Sequence, residues 1–524
     1  MDKIKVLVTD PLKEAGIKVL EKAGFEVTQV GKKKVEELLD IIEKYDVVVV
    51  RSETKITKDV IERGKNLKII GRAGVGLDNI DVEAATAHGI IVMNAPEGNT
   101  ISAAEHAIAL MLSLVRNIPA ANYHVKSGKW ERKKFMGTEL HNKTLGIIGL
   151  GRIGKRVSSI GKGFGMKIIG YDPFVEGIAL REMGVTIISL DGLLKQADFI
   201  SFHIPLTDQT YHMIGEKEFE MMKEGVYIIN CARGGIIDED ALYKYIKKGK
   251  VKGAGLDVFE KEPPENSPLL ELEQVVVTPH LGASTEEAQE NVAVQLAEQI
   301  VEAITKKVVR NSANVPYLDE ETMKKLRGYL SLGEKMGSFL SQMVESEIKN
   351  IVINYYGEIV HYDLTLVRYY IIMGLFKNYG VNVVNAPLIL KEKKINLRES
   401  RQETGGEFVN LITVEVSNGK SISVSGTILE NKEERIVKID GFSVDASPKG
   451  YLLVCYNEDT PGIMGHIGTV LGKEGVNIAS MTLGRKKKGG PAITVLNLDQ
   501  SIDKKVLNKI KEFPAINSVK LVII

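Results

Sequence analysis

A chain of 524 residues is too long for one ordinary core and implies three or four domains. Hydrophobic residues make up 44% and charged residues 26%, a globular balance, and a net charge of +1 excludes bulk attraction to nucleic acid or an anionic membrane. The two cysteines, Cys231 and Cys455, stand far apart, which excludes a disulfide framework or thiolate metal site and fits a reducing compartment. No apolar run approaches the roughly 20 residues needed to cross a bilayer. The opening residues enter a strand-like run without the apolar core of a signal peptide, so a cytoplasmic location is expected.

Short β-branched runs alternate with helix-period segments from the start. Residues 5–9, 46–50, 67–71 and 90–93 read as buried parallel strands, and 12–23 and 34–44 as amphipathic helices, which implies βαβ units. An apolar helix over 101–115 follows Asn99 and is a natural bridge between lobes. A second series begins at Thr144, with strands at 145–149, 167–172, 199–203, 226–230, 253–258 and 275–278, then a helix over 284–304. Two doubly wound parallel-sheet domains are therefore expected. The polar stretch 311–316 reads as a linker. Residues 317–449 alternate less cleanly and carry charged, hairpin-like turns. From Gly450 the order is strand 451–456, helix 463–472, strands 476–483 and 492–498, helix 504–511 and strand 518–523, which is the ferredoxin-like βαββαβ arrangement.

The chemistry starts at Gly149-Leu150-Gly151-Arg152-Ile153-Gly154, between a strand and a helix. Gly149 suits a tight turn, Gly151 admits a pyrophosphate to backbone amides, and Gly154 permits close helix–strand packing. The helix N-terminus adds the positive end of a dipole. Asp172 closes the next strand, where a carboxylate accepts hydrogen bonds from an adenosine ribose and repels a 2′-phosphate. NAD is therefore expected over NADP. Arg233, in Asn230-Cys231-Ala232-Arg233-Gly234-Gly235, lies at a strand's carboxyl end, and its guanidinium suits bidentate binding of a carboxylate. His280 can take a proton from a hydroxyl, and a carboxylate such as Glu262 would fix its tautomer and stabilise its imidazolium. No cluster has metal-ligand spacing, and no metal is needed.

These motifs, with Asp257-Val258-Phe259-Glu260-Lys261-Glu262-Pro263 and Thr278-Pro279-His280-Leu281-Gly282, resemble the D-isomer-specific 2-hydroxyacid dehydrogenases over residues 1–306. The resemblance implies a flavodoxin-like substrate lobe, residues 1–98 plus 284–306, and a Rossmann cofactor lobe, residues 99–283. It implies His280 as acid/base, Glu262 as its partner and Arg233 as carboxylate anchor. It further implies cofactor contacts from Arg152, Ile153, Ile204, Cys231, Ala232, Arg233, Asp257, His280, Leu281, Gly282 and Ala283.

Within the family, Arg51-Ser52-Glu53-Thr54, the stretch 71–79 and the stretch 129–137 are similar to the branch that oxidises 3-phosphoglycerate to 3-phosphohydroxypyruvate, toward L-serine. A phosphorylated acid needs several cations. Arg51, Arg72 and Arg132 are candidates beside Arg233, with Ser52 and the backbone of Gly74 and Val75. Val75 departs from relatives that carry a hydroxyl residue there. Residues 450–524 resemble an ACT domain, which implies L-serine as effector near Asp459 and Asn477 and a homodimer or homotetramer. Residues 307–449 resemble an α+β intervening domain. The alternatives are another 2-hydroxyacid dehydrogenase, for glyoxylate, lactate or erythronate 4-phosphate, and a non-enzymatic dinucleotide sensor.

Overall fold

The computed structural model describes residues 3–31, 33–175, 183–404 and 406–524. It divides into two compact units, Met1–Ile80 with Met93–Asn311, and Asp81–Val92 with Ser312–Ile524. Strands β1 (Lys5–Val8), β2 (Glu26–Gln29), β3 (Val47–Val50), β4 (Ile69–Arg72) and β5 (Ile91–Asn94) form a sheet ordered β2-β1-β3-β4-β5, the doubly wound 2-1-3-4-5 order. All four valines of β3 are buried, as a central strand covered on both faces requires. β2 is a polar edge strand, Glu-Val-Thr-Gln, and its composition hides it from a hydrophobicity reading. The helix Glu286–Lys306 lies on this sheet, where a Cβ on Gly71 would meet Leu296 at 3.2 Å and Ile300 at 3.1 Å. The expected helix over 34–44 is a short turn of α-helix, Val35–Leu39, then a 3₁₀ turn, Ile42–Lys44.

The second sheet has strands β6 (Thr144–Ile148), β7 (Lys167–Tyr171), β8 (Thr186–Ile187), β9 (Phe199–Phe202), β10 (Val226–Asn230), β11 (Val251–Leu256) and β12 (Val275–Val277). Their order, β12-β11-β10-β9-β6-β7-β8, is the Rossmann arrangement with one strand added, and the paired strands are parallel. The helix Thr100–Val115 packs on it, with Leu110 and Leu114 against the bare backbone of Gly255 and Gly253.

In the second unit, β13 (Asn350–Gly357), β14 (Asn396–Gln402), β15 (Asn410–Asn418), β16 (Lys420–Ile428), β17 (Glu434–Ile439) and β18 (Phe442–Ala446) form a mixed sheet ordered β14-β13-β15-β16-β17-β18. Only β13 and β14 are parallel. Helices Glu320–Met343 and Thr365–Leu375 cross so closely that a Cβ on Gly337 would sit 2.2 Å from the Ile371 carbonyl oxygen. The last sheet, β19 (Tyr451–Glu458), β20 (Ile478–Arg485), β21 (Pro491–Leu498) and β22 (Ile516–Ile523), is ordered β20-β21-β19-β22, the expected ferredoxin-like order.

The stretch 311–316, expected as a linker, is bonded in place. Asn314 Nδ2 donates to the Ile90 carbonyl at 2.9 Å and to Thr86 Oγ1 at 3.0 Å, and its Oδ1 accepts from the Val92 amide at 3.0 Å. Replacing Asn314 by Ala is expected to destabilise this unit by about 1–3 kcal/mol, because part-buried partners lose their bonds. A shift below about 0.5 kcal/mol in denaturant unfolding would contradict it.

Candidate active site

The glycine loop joins β6 to the helix Arg152–Gly163. Gly149 has φ 93°, and a Cβ there would lie 2.5 Å from the His203 carbonyl oxygen and 2.7 Å from Ile204 Cγ2. A Cβ on Gly154 would lie 1.9 Å from the Gly149 carbonyl oxygen, so that glycine seats the helix on the strand. Above Gly151 none of the described residues stands within 4 Å, which leaves space at the helix N-terminus. Asp172 follows β7. Its Oδ2 accepts from the Leu150 amide at 2.8 Å and its Oδ1 from the Phe174 amide at 2.9 Å, which leaves lone pairs for a ribose. A bare turn, an open helix end and a placed carboxylate fit a dinucleotide. The Arg152 side chain turns to Glu97 at 3.3 Å, so its expected cofactor contact falls to its backbone.

Arg233 is set by the turn after β10. The buried Asn230 accepts from the Ala232 amide at 3.0 Å and donates to the Arg233 carbonyl at 2.9 Å. The guanidinium donates to the Ala232 carbonyl at 2.6 Å, and its Nε lies 3.3 Å from Asp78 Oδ2. Arg72 donates to the Gly76 carbonyl and, at 3.4 Å, to that of Arg51. Burial lowers the Arg72 pKa to about 10, helped by the charges of Arg233 and Arg51. The three arginines are thus close enough to repel, an arrangement suited to a polyanion. Asp10, at the end of β1, orders this corner. It accepts from the Arg51 amide at 2.5 Å and from Thr54 Oγ1 at 2.5 Å. Ser52 is exposed beside it.

A Cβ on Gly76 would lie 1.9 Å from Arg233 Nη2 and 2.5 Å from Asp78 Oδ2. Gly76→Ala is expected to displace the guanidinium and lower kcat/KM by about 100-fold, mostly through KM. Steady-state kinetics within threefold of the parent would contradict this.

Two residues expected at the substrate have other surroundings in the structure. The Gly74 amide already donates to the Arg72 carbonyl at 2.8 Å, so amide donation to a carboxylate would have to come from Val75 or Gly76. Arg132 lies in an exposed 3₁₀ turn, Arg132–Phe135, and no hydrogen bond or ion pair among the described residues joins it to the other arginines. Its segment is tied instead to the opposite end of the sheet. The Thr138 amide donates to the Val115 carbonyl at 2.9 Å, and Thr138 Oγ1 lies 3.3 Å from Tyr227 OH, at the start of β10, whereas Arg233 follows its end.

His280 and Glu262 meet as expected, with Nδ1 2.8 Å from Oε2. Glu262 is oriented through Oε1 by the Phe259 amide at 3.2 Å. The Glu262 hydrogen bond raises the His280 pKa against the opposing effect of burial, and the Glu262 charge adds to the rise. Burial favours the neutral Glu262 carboxyl, but the bonds from His280 and Phe259 outweigh it and hold that pKa below the usual range. With Nδ1–H directed at the carboxylate, Nε2 is left to exchange a proton. Asp257, expected to contact the cofactor, is fully buried. It accepts from the Leu281 amide at 2.7 Å, the Gly282 amide at 2.8 Å, Thr278 Oγ1 at 2.6 Å and His106 Nε2 at 3.1 Å. It shapes the loop that carries His280, Leu281, Gly282 and Ala283. A cavity of about 460 Å³ opens along Asp257, Glu262, Pro263, Leu270, Val277 and His280.

Residues 108–282 match the family model "D-isomer specific 2-hydroxyacid dehydrogenase, NAD binding domain", 325–440 the "D-3-phosphoglycerate dehydrogenase intervening domain" and 451–515 the ACT domain. A Methanocaldococcus jannaschii protein named D-3-phosphoglycerate dehydrogenase is 46% identical over 99% of both chains, and a Bacillus subtilis protein of that name is 40% identical over 99% of both. The chain belongs to the D-3-phosphoglycerate dehydrogenase family. It is an NAD-dependent oxidoreductase. A solved D-lactate dehydrogenase from Aquifex aeolicus, complexed with NAD and lactic acid, aligns with TM-score 0.52 at 32% identity, covering 58% of this chain and 96% of that one. A glyoxylate reductase from Paecilomyes thermophila aligns with TM-score 0.56 at 32% identity, covering 60% and 99%.

Three residues of this site escaped the sequence reading: Asp10, Asp78 and His106. Asp10 follows a strand's carboxyl end, the edge where ligands gather in open α/β sheets, and that position was a usable signal. Nothing local marks His106, and Asp78 lay inside the stretch 71–79 without a role of its own, since the partners Asp257 and Arg233 are distant in sequence. Among the described residues, no single helix is long and apolar enough to cross a membrane.

Proposed function

We propose that the chain oxidises D-3-phosphoglycerate to 3-phosphohydroxypyruvate, the step that commits carbon to L-serine. The observation that carries this reading is the His280–Glu262 pair beside a cluster of three arginines, in a chain whose full-length relatives bear that name. The Gly149–Gly154 loop and Asp172 would hold NAD, which would supply the acceptor for the hydride that leaves C2. Neutral His280 takes the C2 hydroxyl proton at Nε2, and Glu262 offsets the imidazolium charge that develops. Arg233 anchors the C1 carboxylate and orients the forming carbonyl. Arg51 and Arg72 meet the phosphate, with Arg132 as the further candidate cation.

The same reading takes L-serine as effector. Asp459 is held by Arg485 Nη1 at 2.6 Å and the Gly489 amide at 3.0 Å, whereas Asn477 donates to Asp499 at 2.6 Å. Arg485 ends β20 and Asn477 precedes it, so a strand of ~25 Å separates the two positions. Both can therefore line one serine only if each comes from a different copy. A homodimer or homotetramer fits this, and so does the segment carrying exposed Tyr123, Trp130 and Met136. The setting proposed is the cytoplasm. The test is NADH formation with 3-phosphoglycerate against unphosphorylated 2-hydroxy acids, with and without L-serine. Turnover confined to an unphosphorylated acid would overturn the substrate assignment, and indifference to serine the effector.

A further inference from the structure

We propose that His106, on the helix Thr100–Val115, is a positioning residue for the catalytic loop, acting through Asp257 on His280. The proposal rests on His280 being the acid–base group. Thr278 Oγ1 donates to Asp257 Oδ1 at 2.6 Å, so its hydroxyl proton is committed there. His106 Nε2 lies 3.0 Å from that same hydroxyl oxygen and 3.1 Å from Asp257 Oδ1. Both neighbours can only accept, which makes Nε2 the protonated nitrogen and a shared donor. One helical turn earlier, on the same face, Ser102 Oγ donates to the Gly282 carbonyl at 2.9 Å. The helix therefore grips the His280 loop on both sides. The loop needs such a grip, because His280 itself sits at φ 55°, a conformation that costs a non-glycine residue energy.

Geometry and charge are linked here. Among the described residues, the charged and titratable groups around Asp257 are His106 from the helix, the Cys231 thiol after β10, and Glu262 and His280 at the mouth, with Arg233 acting on His280. The negative charge of Asp257 favours imidazolium at His280, whereas Arg233 opposes it. The Nε2–H donor disperses part of the Asp257 charge. Without it, the carboxylate faces His280 less compensated, and the loop amides of Leu281 and Gly282 lose a fixed acceptor geometry. His280 should then hold its proton to higher pH. Because neutral His280 is the base for oxidation, the acid limb of the kcat/KM profile should move upward.

The experiment is the pH dependence of kcat/KM for NADH formation with 3-phosphoglycerate, on the full chain, for the parent and for His106→Leu, His106→Gln and His280→Asn, each checked for folding by circular dichroism. Glutamine places an N–H near the position of Nε2, and leucine fills the space without one. His106→Leu should lower kcat/KM by about tenfold and move the limb up by roughly half a pH unit. His106→Gln should restore the limb and most of the rate. A limb that stands unmoved in His106→Leu, or equal losses in the Leu and Gln variants, would overturn the proposal. If the parent shows no limb, or His280→Asn keeps it, the reading of His280 fails instead.

Discussion

His280→Ala is expected to lower kcat by about 10³-fold or more in both reaction directions, since it removes the group that takes and returns the proton. NAD affinity should change no more than a few-fold. The parts that fit the dinucleotide, the loop at Gly149–Gly154 and the Asp172 carboxylate, follow β6 and β7, which β9, β10 and β11 separate from β12, the strand before the His280 loop. Stopped-flow single-turnover rates, paired with fluorescence titration of NADH, separate the two effects. Residual turnover within tenfold of the parent would remove His280 from the chemistry, and a collapse of NADH binding would make its role structural.

Glu262→Gln carries the second-largest expected effect and adds a signature of its own. The hydrogen bond to Glu262 raises the His280 pKa, and the Glu262 charge adds to this. Oxidation of a hydroxy acid needs the neutral imidazole, so its rate is lost as pH falls through that raised pKa. Reduction of the keto acid needs the imidazolium, so its rate is lost as pH rises through the same value. Glutamine removes the negative charge, and the His280 pKa should fall. The acid limb for oxidation then moves to lower pH, and the alkaline limb for reduction moves with it. An amide also ceases to fix the Nδ1–H tautomer, so kcat should drop by about 10²–10³-fold in addition. A profile displaced upward, or a fall in rate with both limbs in place, would contradict the assigned role. The shift is opposite in sign to that expected for His106→Leu, so the two variants test the charges on either side of His280 independently.

How much of this was legible in the chain depended on distance along it. The parallel strands announce themselves through buried β-branched runs such as Val47–Val50, and the Gly149–Gly154 loop through glycines whose Cβ positions are blocked or open for separate reasons. The ferredoxin-like order after Gly450 was equally plain, because β19 and β21 are strongly apolar runs that supply the core around Leu453, Ile467 and Leu496. The polar edge strands β2 and β14 were not legible. An edge strand faces solvent, and its side chains carry no period-two apolar signal. The six-stranded sheet of residues 350–446 was not legible strand by strand, although β13 alternates and buries Ile351, Ile353 and Tyr355, because charged turns break the pattern between its strands.

The sequence by itself determined the fold class and marked the cofactor loop with Asp172 and the candidates Arg233, Glu262 and His280, because each sits in a recognisable local motif and the motifs occur together in a workable order. Only the tertiary structure decided what those residues meet. It placed Asp78 against Arg233, set Arg51 and Arg72 beside the same anchor, and brought His106 to Asp257 across 151 residues. It tied Thr138, on the segment that follows Arg132, to the start of β10, and set Asp459 and Asn477 toward opposite ends of β20. Periodicity reports a residue's own element and face, whereas a contact between elements depends on how sheets stack and which strand ends converge. That information is distributed over the whole packed core, and no motif holds it.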